Sequence, residues 1–525
     1  MIDRRSFLRL RPTPPAAPQP VPLASPLAPY DQQAGALWGP PQARHLLRRI
    51  GASVREDDVQ AILNMTPSQA AERLVDVASW RPGLPDPPWI EERRPPQGSS
   101  EAELLAWRES NREWTLEVQH GTFERAIGGN EHYRFHRLGE MLREKMTVFW
   151  ANHFVTELRS HNTAVWLFEY RQVLRHHALR NFRVAVRAIG LTAAMLDYLN
   201  GNENRVGAPN ENYARELLEL FTMGIEDADG NPNYTQDDIA ELSRALTGWR
   251  TYKSATDEHG TASVVFDPDR FDDGVKTIFG QTGRFRYTSV LALIFQERSG
   301  AIAHFIAGKL CRAFVRDEPA PAFVAAVAER LLEEDFDIKP VVKAILASAY
   351  FFEPEHVGAL IRSPIEVVLG TAYEFGVDAL GPVGETGWRR FLVRMREMSY
   401  DAFNPPDVRG WEEGRAWIDT GTISARYAAS RAEVRQHTQI NTPTDNFLTT
   451  TLVRPEAGDP GTLTATLCEE LLAWTLSDEE IEDLANDHLR NGVSDYYWDP
   501  TTQAARVRLR SLLVALVSLP AYQLR

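Results

Sequence analysis

The chain has 525 residues, 43% of them hydrophobic and 25% charged, with a formal net charge of −15. That composition can bury a large core and is ordinary for globular proteins, which excludes disorder for most of the chain. The acidic balance excludes a general electrostatic footprint for nucleic acid, and two distant cysteines, Cys311 and Cys468, argue against a disulfide framework or a thiolate zinc site.

Asp3-Arg4-Arg5-Ser6-Phe7-Leu8-Arg9 has the form of a twin-arginine export signal, but Arg11-Pro12-Thr13-Pro14-Pro15 stands where the apolar segment belongs. These prolines forbid a continuous helix. Residues 1–34 are therefore expected as a disordered or polyproline-like tail, with a cytoplasmic location slightly favoured over export to the periplasm. From Pro40 the pattern is helical. Ala43, Leu46, Leu47 and Ile50 share one face, and Gly51 stands where a C-cap glycine would end the run. Helices are expected over 56–64 and from Thr66-Pro67. Residues 81–100, rich in Pro, Gly and charge, read as a long loop.

Long helices are predicted over 101–200, with one stripe at Leu142, Met146, Phe149 and Trp150 and another at Leu167, Tyr170, Leu174 and Ala178. A loop at 200–212 precedes helices over 211–223 and 236–248. Val264-Val265-Phe266 and Val275 to Phe279 suggest a short hairpin or an ordered loop within 251–287. Helices resume near Ser289, a further one opens at Ser363-Pro364, and a Pro/Gly/Trp-rich loop at 401–418 leads into a helix ending near Arg435. Three helices close the chain. No apolar run reaches the roughly 18 residues that span a bilayer, so no transmembrane segment is expected. The predicted class is all-α with one small β excursion. The predicted organisation is a main helical domain over 35–435 and a C-terminal helical segment, 436–525, packed on it.

The segment with the most chemistry is Pro209 to Gly224. Asn210 is placed to cap a helix, and Gly224 to end it in the left-handed conformation. Asn212, Arg215, Glu216 and Glu219 share the polar face. One reading is a solvated face with Glu211–Arg215 and Arg215–Glu219 pairs, each worth about 0.2–0.5 kcal/mol. The other is a cleft wall on which Glu211, Glu216 and Glu219 act with His153 as metal ligands or acid/base groups, Arg215 holding an anion. Downstream, Asp227, Asp229, Asn231 and Asp238 follow the oxygen rhythm of a twelve-residue calcium loop. Pro232, however, stands where that loop needs glycine, and Thr235 with Asp238 also spells a capping box. A divalent cation is the one cofactor this pattern would admit.

His153, among aromatics, reads first as a hydrogen-bonded core residue. Glu117 and His120 supply only one of the two Glu-x-x-His pairs a di-iron bundle needs. No zincin, P-loop, nucleophile-elbow or dinucleotide fingerprint is present. Without such a motif, a binding or assembly module is the first functional expectation and a metal-assisted hydrolase the alternative. Trp249, Trp411 and Trp417, with Asn210 and Asn212, are the candidate binding residues.

Several motifs carry a family resemblance. They are His45-Leu46-Leu47-Arg48-Arg49; Glu144-Lys145-Met146 through Trp150-Ala151-Asn152-His153-Phe154; Pro209 through Phe221; Tyr234-Thr235-Gln236; Leu246-Thr247-Gly248-Trp249; Ser363-Pro364-Ile365-Glu366; Pro405 through Trp411; and Trp417-Ile418. Over about residues 40–525 the sequence resembles the bacterial domain-of-unknown-function 1800 (DUF1800) family. The resemblance implies a largely helical fold with no established activity. Members often carry export signals and are often encoded beside sulfatase-like proteins, which implies such a partner and work on the cell envelope or extracellular polymers. Two positions depart from the family pattern. Thr192 stands where an Asp is usual and Phe271 where a His is usual, and each change removes an ionisable group.

Overall fold

Apolar residues at helical spacing become buried faces, and capping residues set where those faces begin. The computed structural model describes residues 25–525 except 81–82, 130, 132, 256–257, 386, 441–446, 491, 493 and 495–497. The first helices are α1 (Pro40–Ile50), α2 (Glu56–Ile62), α3 (Pro67–Trp80), α4 (Glu101–Ala126) and α5 (Arg134–His153). Then come α6 (Leu158–His161), α7 (Ala164–His177), α8 (Phe182–Ile189), α9 (Ala193–Tyr198), α10 (Asn212–Glu219) and α11 (Gln236–Ala245). After the strands follow α12 (Tyr287–Glu297), α13 (Ser299–Phe314), α14 (Pro321–Glu333), α15 (Ile338–Ala347), α16 (Pro364–Glu374), α17 (Arg389–Glu397) and α18 (Thr422–His437). The chain closes with α19 (Phe447–Leu452), α20 (Pro460–Leu471), α21 (Asp478–Leu484) and α22 (Gln503–Leu516). The fold is mainly α-helical, as expected, and among the described residues no single helix is long and apolar enough to cross a membrane.

Helix starts follow the caps. Ser100 with Glu103, Thr235 with Asp238, Ser363 with Glu366 and Ser477 with Glu480 form capping boxes, each satisfying N–H groups that a first turn leaves unpaired. The helix expected over 211–223 stops at Glu219. The Thr222 hydroxyl bonds back to the Leu217 carbonyl, and Gly224, at φ +78°, turns its N–H onto Leu218. Gly51 is not a left-handed cap. Its φ is −131°, and a Cβ there would press on the Met141 sulfur at 3.2 Å.

The β excursion pairs differently from the expected hairpin. β1 (Trp249–Thr251) pairs antiparallel with β2 (Val264–Phe266), and β3 (Lys276–Ile278) with β4 (Gln281–Gly283). Phe279 and Gly280 both take positive φ, 51° and 76°, between β3 and β4. That is the requirement of a tight two-residue turn, so Val275 to Phe279 finds its partner next door rather than at Val264.

One large core extends from Ala43 to Ala429, and a second, smaller one joins Phe375 to residues between Val434 and Tyr522. Residues 25–34, expected as part of the tail, are ordered. Pro29 bridges to Ser348 and Tyr30 packs 4.6 Å from Phe352, so apolar residues tie this end down. Residues 1–24, including Arg4 and Arg5, lie outside the described residues.

The position of α5 is set on two sides. Against α3, Gly139 allows close backbone approach, since a Cβ there would lie 2.7 Å from Val77 Cγ1 and 3.0 Å from the Ala78 nitrogen. Against α7, Glu144 accepts from Arg171 at 2.7 Å and Arg175 at 3.2 Å, and Glu140 accepts from Arg175 at 2.7 Å, all four residues being buried. Breaking such a desolvated pair typically costs about 3–5 kcal/mol. Replacing Gly139 by Val is expected to overpack the α3–α5 contact and destabilise the protein by about 1–3 kcal/mol, read as a lower urea midpoint.

Candidate functional site

Along α5, Met141, Glu144, Lys145, Val148, Phe149 and Asn152 follow one another at helical spacing along the wall of a cavity of about 520 Å³. Small-molecule pockets commonly span about 300–1,000 Å³. The opposite walls come from α13, the first turn of α16, the loop 400–417 and Arg525.

Glu366 organises one end. Its Oε2 accepts from the Ser363 N–H at 2.8 Å, completing the cap of α16. Its Oε1 meets Lys145 Nζ at 3.1 Å and Arg525 Nη1 at 2.8 Å. Burial works against the Glu366 charge, but Arg525 and Lys145 prevail and hold the carboxyl down at about 2. Burial, and then Arg525, pull the Lys145 ammonium down to about 7, with Glu366 opposing. Arg49 lies behind this group, fully buried. Its Nη2 donates to the His356 carbonyl, while Nε and Nη1 find no hydrogen-bond partner among the described residues.

His153 stands at the other end. Its Nδ1 lies 2.9 Å from Lys309 Nζ and its Nε2 3.0 Å from the Phe221 carbonyl. An ammonium can only donate and a carbonyl only accept, so the ring is neutral, with Nδ1 accepting and Nε2–H donating. Burial, then Lys309, hold it well below the usual imidazole range. Burial and Arg312 lower Lys309 to about 8, against the pull of Glu413.

The loop roof is tied to α5 by Asn152. Its Oδ1 accepts from the Trp411 N–H at 2.8 Å, and its Nδ2 lies 3.1 Å from both the Trp411 carbonyl and Glu413 Oε1. Gly410, at φ +87°, permits this, since a Cβ would stand 2.7 Å from the Asn152 carbonyl oxygen. Trp411 packs 4.5 Å from Tyr400, and Trp417 6.1 Å from the same ring. Glu413 is exposed and lines the cavity. Desolvation raises its carboxyl, with Arg525 opposing.

Of the residues singled out in the sequence, His153, Trp411 and Trp417 come together here. The acidic helix α10 reaches His153 only through the Phe221 carbonyl beyond its end. Arg215 pairs with Glu211 at 3.1 Å on a half-exposed surface. Glu219 accepts from the Tyr234 hydroxyl at 3.3 Å. Glu216 is half-buried, its carboxyl raised by burial and then by Glu219. Neither Glu216 nor Glu219 lines the cavity. The N-cap position falls to Glu211 rather than to Asn210, whose Oδ1 accepts from the Asn212 N–H at 2.9 Å, and Asn212 bonds Asn200. Trp249 packs on Phe266 and Tyr287.

In the calcium-like segment, Asp227 accepts from the N–H groups of Asp229 and Asn231, both at 2.9 Å. Asp238 spends one oxygen on Thr235 and the other on the Phe279 N–H. Elsewhere, Glu353, Glu355 and His356 bring ligand atoms within 4.8 Å of one another, with Arg316 already 2.8 Å from Glu355. Thr192 opens α9, its hydroxyl donating to the Ile189 carbonyl. Phe271 lies under Lys276 and Arg286, at 5.4 and 5.5 Å. Both departures from the family pattern therefore lie off the cavity.

Sequence reasoning did not single out Lys145, Lys309, Glu366, Glu413 or Arg525. The first and third sit inside quoted motifs and could have been flagged by the capping box and the Lys145/Phe149/Asn152 spacing. The others join only through folding. The family model described as "Protein of unknown function (DUF1800)" matches residues 45–524, and the chain belongs to that family. No curated protein and no solved structure matches it.

Glu366 titrates lower in the folded protein than the ordinary 4.5. Its stabilisation is therefore complete above that value and is lost as pH falls from about 4.5 toward 2. Urea midpoints of the wild type are expected to fall more steeply across this window than those of Glu366→Gln.

Proposed function

As a member of a family without an assigned activity, this chain is best understood from its cavity, and we propose that it is a binding protein for an anionic, ring-bearing ligand. The observation that carries this reading is the charge around Glu366. Lys145 and Arg525 pair with Glu366, and Arg49, fully buried near the Glu366 and Asp317 carboxylates, has two nitrogens without a hydrogen-bond partner among the described residues. Desolvated cations are costly without anions to answer them, and this wall opens on the cavity. Aromatic faces from Phe149, Tyr400, Trp411 and Trp417 flank it, as suits a ring that is apolar on its faces and polar at its edge. With the family's implied link to the cell envelope, the best-fitting ligand class is an acidic segment of an envelope or extracellular polysaccharide. A sulfatase-like partner would act on the same polymer. The acidic face of α10 is not part of this reading, since the two His153 nitrogens are both engaged and the carboxylates lie elsewhere.

The test is a titration of the purified protein with glucuronate, a sulfated monosaccharide and neutral glucose, followed by tryptophan fluorescence. The acidic sugars are expected to bind and glucose not to. Lys145→Met should weaken the acidic sugars about tenfold or more, the scale of a lost charge-assisted hydrogen bond. Equal response to all three sugars would reject the proposal.

A further inference from the structure

Four of the cations that line the cavity fall into two groups at its opposite ends, beside Arg409 and Arg415 of the loop. Lys145 and Arg525 form the first, on Glu366. Lys309 and Arg312 form the second, spaced i,i+3 on α13, and both line the cavity. Lys309 makes its hydrogen bond to the neutral His153 ring, and neither residue has a carboxylate within ion-pair distance among the described residues. His153 lies eight residues along α5 from Lys145, which places the two groups about 12 Å apart along the helix axis.

What lies between them is different in character. Val148 and Phe149 offer apolar surface from α5, and Tyr400 and Trp411 face them from the loop. Glu413 is held in the same stretch by Asn152, and its field reaches both cationic groups. A carboxylate there disfavours a second anion at the centre and offers an acceptor to hydroxyl groups.

From this arrangement we infer that the cavity takes a ligand with an acidic group at each end and a neutral, hydroxylated middle, the chemistry of a disaccharide with one carboxylate or sulfate on each ring. The inference rests on the anion-binding reading above and sharpens it. One acidic group meets Lys145 and Arg525, the other meets Lys309 and Arg312, and the sugar faces lie between Phe149 and Trp411. Neither cationic group alone uses the length of the cavity.

Calorimetric titration of the full chain with three probes tests it: a disaccharide with an acidic group on each ring, one with a single acidic group, and neutral cellobiose. The two-acid probe should bind at least about tenfold tighter than the one-acid probe, as a second charge-assisted contact would give. Carboxylated and sulfated versions both count. In Lys309→Met, with an unchanged circular dichroism spectrum, that advantage should disappear while one-acid binding persists. The wild-type comparison stands whether or not the variant folds. Equal binding of the one-acid and two-acid probes, both above cellobiose, would overturn the two-ended ligand and leave the anion-binding proposal intact. Acidic probes no better than cellobiose would overturn both.

Discussion

A single carboxylate joins parts of the chain that are distant in sequence. Glu366 closes the capping box that starts α16 with one oxygen and holds Lys145 of α5 and Arg525 with the other. The two tasks reinforce each other. The cap fixes the side chain, so the free oxygen is presented in one direction, and the cations keep it ionised in a buried place. A buried charge persists only when paired and hydrogen-bonded, and here both conditions are met by different elements. The position of α16 against α5, and so one wall of the cavity, depends on that arrangement.

The opposite wall depends on an amide. Asn152 meets the Trp411 backbone as a neighbouring strand would, offering an acceptor to its N–H and a donor to its carbonyl. A loop rich in Pro, Gly and Trp thereby gains a defined position, with Gly414–Trp417 as a short 3-10 helix. Its glycines are needed where the chain approaches other groups most closely: Gly410 at Asn152, and Gly414, at φ +63°, against the Asp317 carboxylate. Loops positioned by a rigid scaffold commonly carry binding residues, and this one delivers Trp411, Glu413 and Trp417 to the same cavity.

The contrast with the acidic helix is instructive. Its carboxylates are the most conspicuous polar groups in the sequence, yet their partners are local: Arg215 for Glu211, Tyr234 for Glu219. Conspicuous spacing on one helix marks a polar face without saying what that face meets. Lys145 and Lys309 give a weaker signal in sequence and a stronger one in space, because burial makes each charge matter.

Local physics made the helices legible in advance. Three-and-four spacing of Leu46, Leu47 and Ile50, the Ser-x-x-Glu pattern at Ser363 and the prolines of first turns each act within a few residues, so the helical class and several helix starts were determined by the sequence itself. Strand pairing was less legible, since the Lys276–Ile278 strand turns back on Gln281–Gly283 and Val264–Phe266 pairs with Trp249–Thr251 instead. The cavity was decided only by tertiary structure. Its members lie between Gly51 and Arg525 on seven separate segments, and no periodicity in a linear chain encodes which buried cation will face which carboxylate. That choice is made when helices pack, because only then does removal of water make an unanswered charge expensive enough to dictate its neighbours.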